Sequence, residues 1–174
     1  MYNFSFNDRP DHQRLELHRA LYSDINTDIV RIFIEFQWTY RNMQRQYDLL
    51  LEKNGLGESR FIILMFLYQA PERTLLPSVI ADKLGATRAT VSKLLKGMEA
   101  KGWITKNTSA IDKRALYISL SDSGYQILLD FLPKNFNIVN QLLGSLSAED
   151  LQTLSTLLKK IENGTHRYIQ EKEK

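Results

Sequence analysis

The sequence predicts a mainly α-helical protein with a small β-wing, a winged helix-turn-helix flanked by N- and C-terminal helices. Three observations predict it. Apolar residues recur at helical spacing over most of the 174 residues. Gly85 breaks that period between two short apolar-patterned stretches, as the turn of a helix-turn-helix requires. Between Trp103 and Leu120 the period changes to alternation, the mark of half-buried strands.

Residues 1–24 form a polar, aromatic-dotted extension, with a short helix expected over 11–22. Over 25–53 Ile25, Ile29, Ile32, Phe33, Phe36, Tyr40, Met43, Tyr47, Leu50 and Leu51 recur at the spacing of a long amphipathic helix, ended by Asn54-Gly55. Residues 54–121 are expected to form the winged lobe. It begins with a nearly all-apolar helix from Ser59 to Gln69, stopped by Ala70-Pro71. Helices over Pro77–Leu84 and Arg88–Lys101 follow, then strands over Trp103–Asn107 and Ala115–Leu120, with Leu116, Ile118 and Leu120 on one face. Ser121 is placed to cap the first helix of the 122–168 region, where Pro133 predicts a kink. Ser147 and Asp150 have capping-box spacing and open a last helix expected to end near Gly164. Residues 169–174 are a charged tail.

The totals exclude several functions. With no cysteine, the chain has no disulfide, thiolate metal site or reactive thiol. Its three histidines, His12, His18 and His166, lie near the ends, so no metal or cofactor is expected. It carries no Gly-rich phosphate loop, HExxH or GxSxG, so no enzymatic activity is expected. The longest apolar run, Phe61–Tyr68, is far short of a membrane span. The opening MYNFSFNDRP lacks the pattern of a secretory leader, and a cytoplasmic protein is expected.

Charge is unevenly placed. From Leu75 to Leu120 eight basic residues (Lys83, Arg88, Lys93, Lys96, Lys101, Lys106, Lys113 and Arg114) face three acids, Asp82, Glu99 and Asp112. That segment carries +5 of an overall +3, leaving −2 elsewhere. Such a segment suits a polyanion.

The functional constellation is Ile80 to Leu94, IADKLGATRATVSKL. Ala81 is small enough for two helices to approach closely, and Gly85 tolerates the left-handed turn between them. Thr87 caps the second helix. Val91, Leu94, Leu95 and Met98 share one face of that helix; Ala89, Ser92, Lys93 and Lys96 lie opposite, flanked by Arg88 and Thr90. Cations can donate to guanine, hydroxyls adapt to several partners, and a methyl can touch thymine, so this face suits a major groove. At the wing tip Asp112, Lys113 and Arg114 present a guanidinium to a narrow minor groove. Singly, each residue also fits an ordinary solvated face. Together with the turn and wing they point to duplex DNA. The alternative is a winged helix used only for protein contacts.

From Leu75 to Gly124 the sequence resembles the MarR family of bacterial regulators. The resemblance is carried by IADKLGATRATVSKLLKGMEAKGWITK, the D-x-R element Asp112-Lys113-Arg114, and Leu120-Ser121-Asp122-Ser123-Gly124. Leu76-Pro77 departs from it, standing where the family usually has a Thr or Ser cap. The resemblance implies a repressor-type homodimer with interlocking terminal helices and one recognition helix per subunit, with Arg114 entering the minor groove and Asp112 orienting it. The residues also argue for dimerisation, because the terminal helices carry more apolar surface than one winged lobe can cover. A two-fold dimer would read a pseudo-palindromic operator. The resemblance further implies release by a small aromatic or anionic effector. Phe36, Trp38, Tyr40, Arg41, Tyr47 and Phe66 are the candidate lining, Arg41 foremost as a cation beside aromatics, although plain core packing accounts for any one of them.

Overall fold

The computed structural model describes residues 26–108 and 116–172. The expected helix over 11–22 lies outside them. The chain divides after Lys53. In the first unit α1 runs Thr27–Lys53. Its start is set by Asn26, whose Oδ1 accepts from the amides of Asp28 (3.1 Å) and Ile29 (3.2 Å).

The second unit, from Asn54 onward, holds α2 (Glu58–Gln69), β1 (Thr74–Leu75), α3 (Pro77–Leu84), α4 (Arg88–Ala100), β2 (Ile104–Thr108), β3 (Leu116–Leu120), α5 (Asp122–Leu143) and α6 (Ala148–Lys172). Its core gathers Phe61, Ile63, Leu64 and Leu67 of α2 with Ile80 and Ala81 of α3. Val91, Leu95 and Met98 of α4, Ile118 of β3, and Leu128 and Phe131 of α5 complete it, all buried. Phe61 and Phe131 meet edge to face at 5.0 Å.

The wing is a three-stranded antiparallel sheet, ordered β1-β3-β2, where the sequence indicated two strands. Thr74 pairs with Ser119 and Leu75 with Ile118; across the other side Ile104 pairs with Leu120 and Thr108 with Leu116. Two residues are too few for a visible alternation, so β1 leaves no periodic signal. Of the expected apolar face only Ile118 is fully buried, and Leu116 stays exposed.

β1 is reached through a strained turn, Pro71–Arg73. Glu72 (φ 52°, ψ 17°) and Arg73 (φ 52°) are consecutive non-glycine residues in the left-handed region. Each costs about 1–2 kcal/mol relative to an ordinary conformation.

α5 continues through Pro133 from Asp122 to Leu143, as the spacing indicated, although the proline withholds one amide from the ladder. The second unit corrects one expectation. α6 does not end near Gly164 but runs on to Lys172. A mid-helix glycine costs only about 1 kcal/mol, and Tyr168 and Ile169 extend the apolar stripe beyond it.

Candidate nucleic-acid interface

The turn between α3 and α4 is closed locally. Gly85 takes φ 62°, ψ 31°, and Gly85 N–H donates to the Asp82 carbonyl (3.2 Å) while Ala86 N–H donates to that of Ala81 (3.1 Å). A side chain at Gly85 would be strained in this conformation. α3 begins at Pro77, whose missing N–H is no loss at the first helical position. Ala81, 3% exposed, sits in the core beneath the turn.

α4 is oriented by its buried face. Val91, Leu95 and Met98 are at most 2% exposed, which turns Thr87, Arg88, Ala89, Thr90, Ser92, Lys93 and Lys96 outward; all seven are exposed. Thr87 Oγ1 accepts from the Thr90 amide at 3.2 Å and shares a hydrogen bond with the Thr90 hydroxyl at 2.9 Å. The first turn contains no acidic residue. Its partial positive charge is therefore open to an anion.

The basic segment sorts into two groups that charge counting cannot separate. Lys83 lies over the Phe66 ring (5.5 Å), Lys101 lies over Trp103 (4.5 Å) and donates to the Gly55 carbonyl (3.3 Å), and Lys106 pairs with Glu99 at 2.5 Å. These three are held within the lobe. Arg88, Lys93 and Lys96 have neither an ion pair nor a hydrogen-bond partner among the described residues. They form a cationic outer face on one helix. The wing-tip residues Asp112, Lys113 and Arg114 fall within 109–115, outside the described residues.

A latch joins the base of the wing to α5. Ser121 caps α5 by accepting from Gly124 N–H (3.0 Å), and its hydroxyl donates to the Gly102 carbonyl (2.5 Å). A Cβ at Gly124 would stand 2.0 Å from the Trp103 carbonyl oxygen, so the helix can approach this closely only with glycine. Sequence reasoning placed the Ser121 cap but not this contact. It also missed Glu99 as the partner of Lys106, and the hydroxyl ladder across the sheet. In that ladder Thr74 and Ser119 hydroxyls meet at 2.9 Å and Asn107 Nδ2 donates to Ser119 at 3.3 Å.

Of the proposed effector residues, Phe36, Trp38, Tyr40, Arg41 and Tyr47 lie on α1, and Phe66 on α2. Phe36, Tyr40 and Arg41 are exposed; Trp38, Tyr47 and Phe66 are half-buried.

The fold agrees with known proteins. The MarR family model matches residues 54–115. The organic hydroperoxide resistance transcriptional regulator of Bacillus subtilis is 31% identical over 120 residues, 68% of this chain and 78% of that protein. The chain belongs to the MarR family. The HTH-type transcriptional repressor YetL of B. subtilis is 27% identical over 141 residues, covering 81% of this chain and 84% of YetL. Sco3205, a MarR family regulator of Streptomyces coelicolor crystallised in complex with DNA, shares the fold with a TM-score of 0.72 at 21% identity, over 80% of this chain and 89% of its own. This MarR-family chain is thus a DNA-binding transcriptional regulator and not an enzyme. Among the described residues no helix is long and apolar enough to cross a membrane.

Proposed function

We propose that this protein is a cytoplasmic transcriptional repressor that binds a pseudo-palindromic duplex as a homodimer. The carrying observation is the outer face of α4, where Arg88, Lys93 and Lys96 stand exposed among Thr87, Ala89, Thr90 and Ser92, with no ion-pair or hydrogen-bond partner among the described residues. In a major groove the cations and hydroxyls meet base edges and phosphates, and the α4 N-terminus faces a phosphate. Arg114 at the wing tip enters the minor groove and Asp112 orients it. The repressor assignment follows from the similarity to YetL, a transcriptional repressor.

Dimerisation is supported by exposed apolar side chains among the described residues. Ile29, Ile32, Phe33 and Phe36 of α1 are exposed, as are Phe136 and Val139 of α5 and the stripe of α6. Two-fold pairing places the reading helices about 34–36 Å apart, one turn of duplex. A small aromatic or anionic effector, held on α1 by Arg41 with Phe36, Trp38, Tyr40 and Tyr47, would release the DNA by favouring a different spacing of the two helices.

The test uses a duplex selected from a random pool by the wild-type protein, titrated by fluorescence anisotropy across a salt series. Lys93→Ala and Lys96→Ala each reduce the salt slope by about 1, and Arg114→Ala costs about 1–3 kcal/mol of affinity for the selected duplex. Failure of the wild type to select any sequence would favour a protein-interaction module instead.

A further inference from the structure

We propose that Arg73 is a positioning residue for operator binding: its guanidinium, seated on the Tyr125 ring, holds the strained turn that gives the wing its third strand. The inference rests on the reading of the wing tip as a DNA contact.

Three elements converge on this side chain. The Arg73 guanidinium carbon lies 3.9 Å from the centroid of Tyr125, in the first turn of α5. Tyr125 in turn stacks on Tyr68, near the end of α2, at 5.9 Å and 24°. Arg73 thus closes a cation-aromatic-aromatic stack that spans the two helices framing the wing. The backbone beneath it needs such a tie. Glu72 and Arg73 both occupy the left-handed region, where an unconstrained chain would place glycine or asparagine. Local hydrogen bonds help, with Arg73 N–H donating to the Ala70 carbonyl (3.0 Å) and the Thr74 hydroxyl to that of Glu72 (3.0 Å). Neither bond fixes the turn against the rest of the lobe. The ring stack ties it to α5 and, through Tyr68, to α2.

What the turn controls lies immediately downstream. Thr74 and Leu75 pair with Ser119 and Ile118 of β3, and Pro77 opens α3 two residues later. The Thr74 hydroxyl bonds Ser119, which also accepts from Asn107 of β2, so side-chain hydrogen bonding crosses all three strands. From this braced base β2 runs to Thr108 and β3 starts at Leu116, so the two strands deliver the ends of the segment that carries Arg114. A hairpin fixed at its base on a third strand holds its tip in one direction; a two-stranded hairpin twists more freely. Arg73 acts through the wing and needs no contact with DNA.

A double-mutant cycle with Arg114 tests this, read as affinity for the selected duplex. Arg73→Ala is expected to weaken binding about 5- to 10-fold in the wild-type background and less than about twofold in the Arg114→Ala background. Arg73→Lys, which keeps a cation over the ring, is expected to stay within about twofold of wild type. General destabilisation of the lobe would lower affinity by the same factor in both backgrounds, and that result overturns the inference while leaving the wing contact standing. If Arg114→Ala alone changes nothing, the wing reading falls and the inference with it. A loss in Arg73→Lys equal to that in Arg73→Ala would overturn the cation-on-ring account. Arg73→Gln, which keeps length without charge, runs the same cycle if the alanine variant does not fold.

Discussion

Two helices of the same unit, α4 and α6, bear the same amphipathic signature and meet opposite fates. α4, 13 residues long, buries Val91, Leu95 and Met98 against its own lobe and turns a polar face to solvent. α6, 25 residues long, buries no residue. Leu151, Leu157, Leu158, Ile161, Tyr168 and Ile169 all remain exposed along it. Periodicity states that a helix has a face to cover; it does not state whose chain covers it. For α4 the partner is within the lobe. For α6 a second copy supplies it under the dimer proposal.

The largest expected effect attacks that contrast directly. Replacing Leu158 and Ile161 together with Asp should abolish the dimer at micromolar concentration in sedimentation and weaken operator binding on the order of 100-fold, since each subunit then binds its half-site alone. Circular dichroism should show the winged lobe intact, because neither residue contributes to its core. A dimer that survives the double substitution would dismiss α6 as the pairing surface.

In the lobe the sharpest change is at Gly124. An added methyl meets the Trp103 carbonyl oxygen, a backbone atom that cannot rotate away. Gly124→Ala should therefore destabilise the fold by about 2 kcal/mol, measured by urea denaturation. A wild-type midpoint would mean that α5 shifts outward freely and that the wing is not latched to it.

What was legible in the sequence follows the same division between local and distant partners. The caps at Thr87, Ser121 and Ser147 and the left-handed Gly85 depend on residues within a few positions, and all appear in the structure. The outward set on α4 was legible because its buried stripe fixes the opposite face. β1 was not, since its two residues acquire strand geometry only by pairing with Ser119 and Ile118, more than forty positions away. Nor could charge counting show that Lys83, Lys101 and Lys106 are tied to Phe66, Trp103 and Glu99. Each of those partners is set by the fold. The extension of α6 past Gly164 was missed for a different reason, a local penalty overridden by the continuing helix.

A smaller effect is expected at Glu72, exposed and held at φ 52°. Glu72→Gly removes the steric cost of that conformation while adding backbone freedom to the unfolded chain. The net expectation is a gain of about 0.5–1 kcal/mol in thermal or urea unfolding, with operator affinity unchanged. A loss of stability would mean that the Glu72 side chain holds the turn as Arg73 does, and would place both residues in the wing's support.

The smallest effect returns to the two helices through their first turns. α4 starts on a neutral hydroxyl with no acid in its first turn, which keeps its N-terminus open to an anion. α6 starts on a reciprocal box in which Asp150 N–H donates to Ser147 Oγ (3.1 Å). The Ser147 hydroxyl (2.7 Å) and amide (2.9 Å) donate back to the Asp150 carboxylate. Those two donors hold the Asp150 carboxyl below its ordinary 3.8, the hydroxyl contributing most. A carboxyl depressed in the folded state contributes stability above its unfolded value and loses it as pH falls through the folded one. The α6 start should accordingly stay closed at neutral pH and loosen only below about pH 3.8, whereas the Thr87 cap of α4 is indifferent to acid. Carboxyl chemical shifts followed through an acid titration check this. Asp150 should titrate below 3.8 in the wild type and move upward in Ser147→Ala, which keeps the amide donor and loses the hydroxyl. An unmoved midpoint would show that the box does not hold in solution, and that α6, like its apolar stripe, depends on a partner even for its first turn.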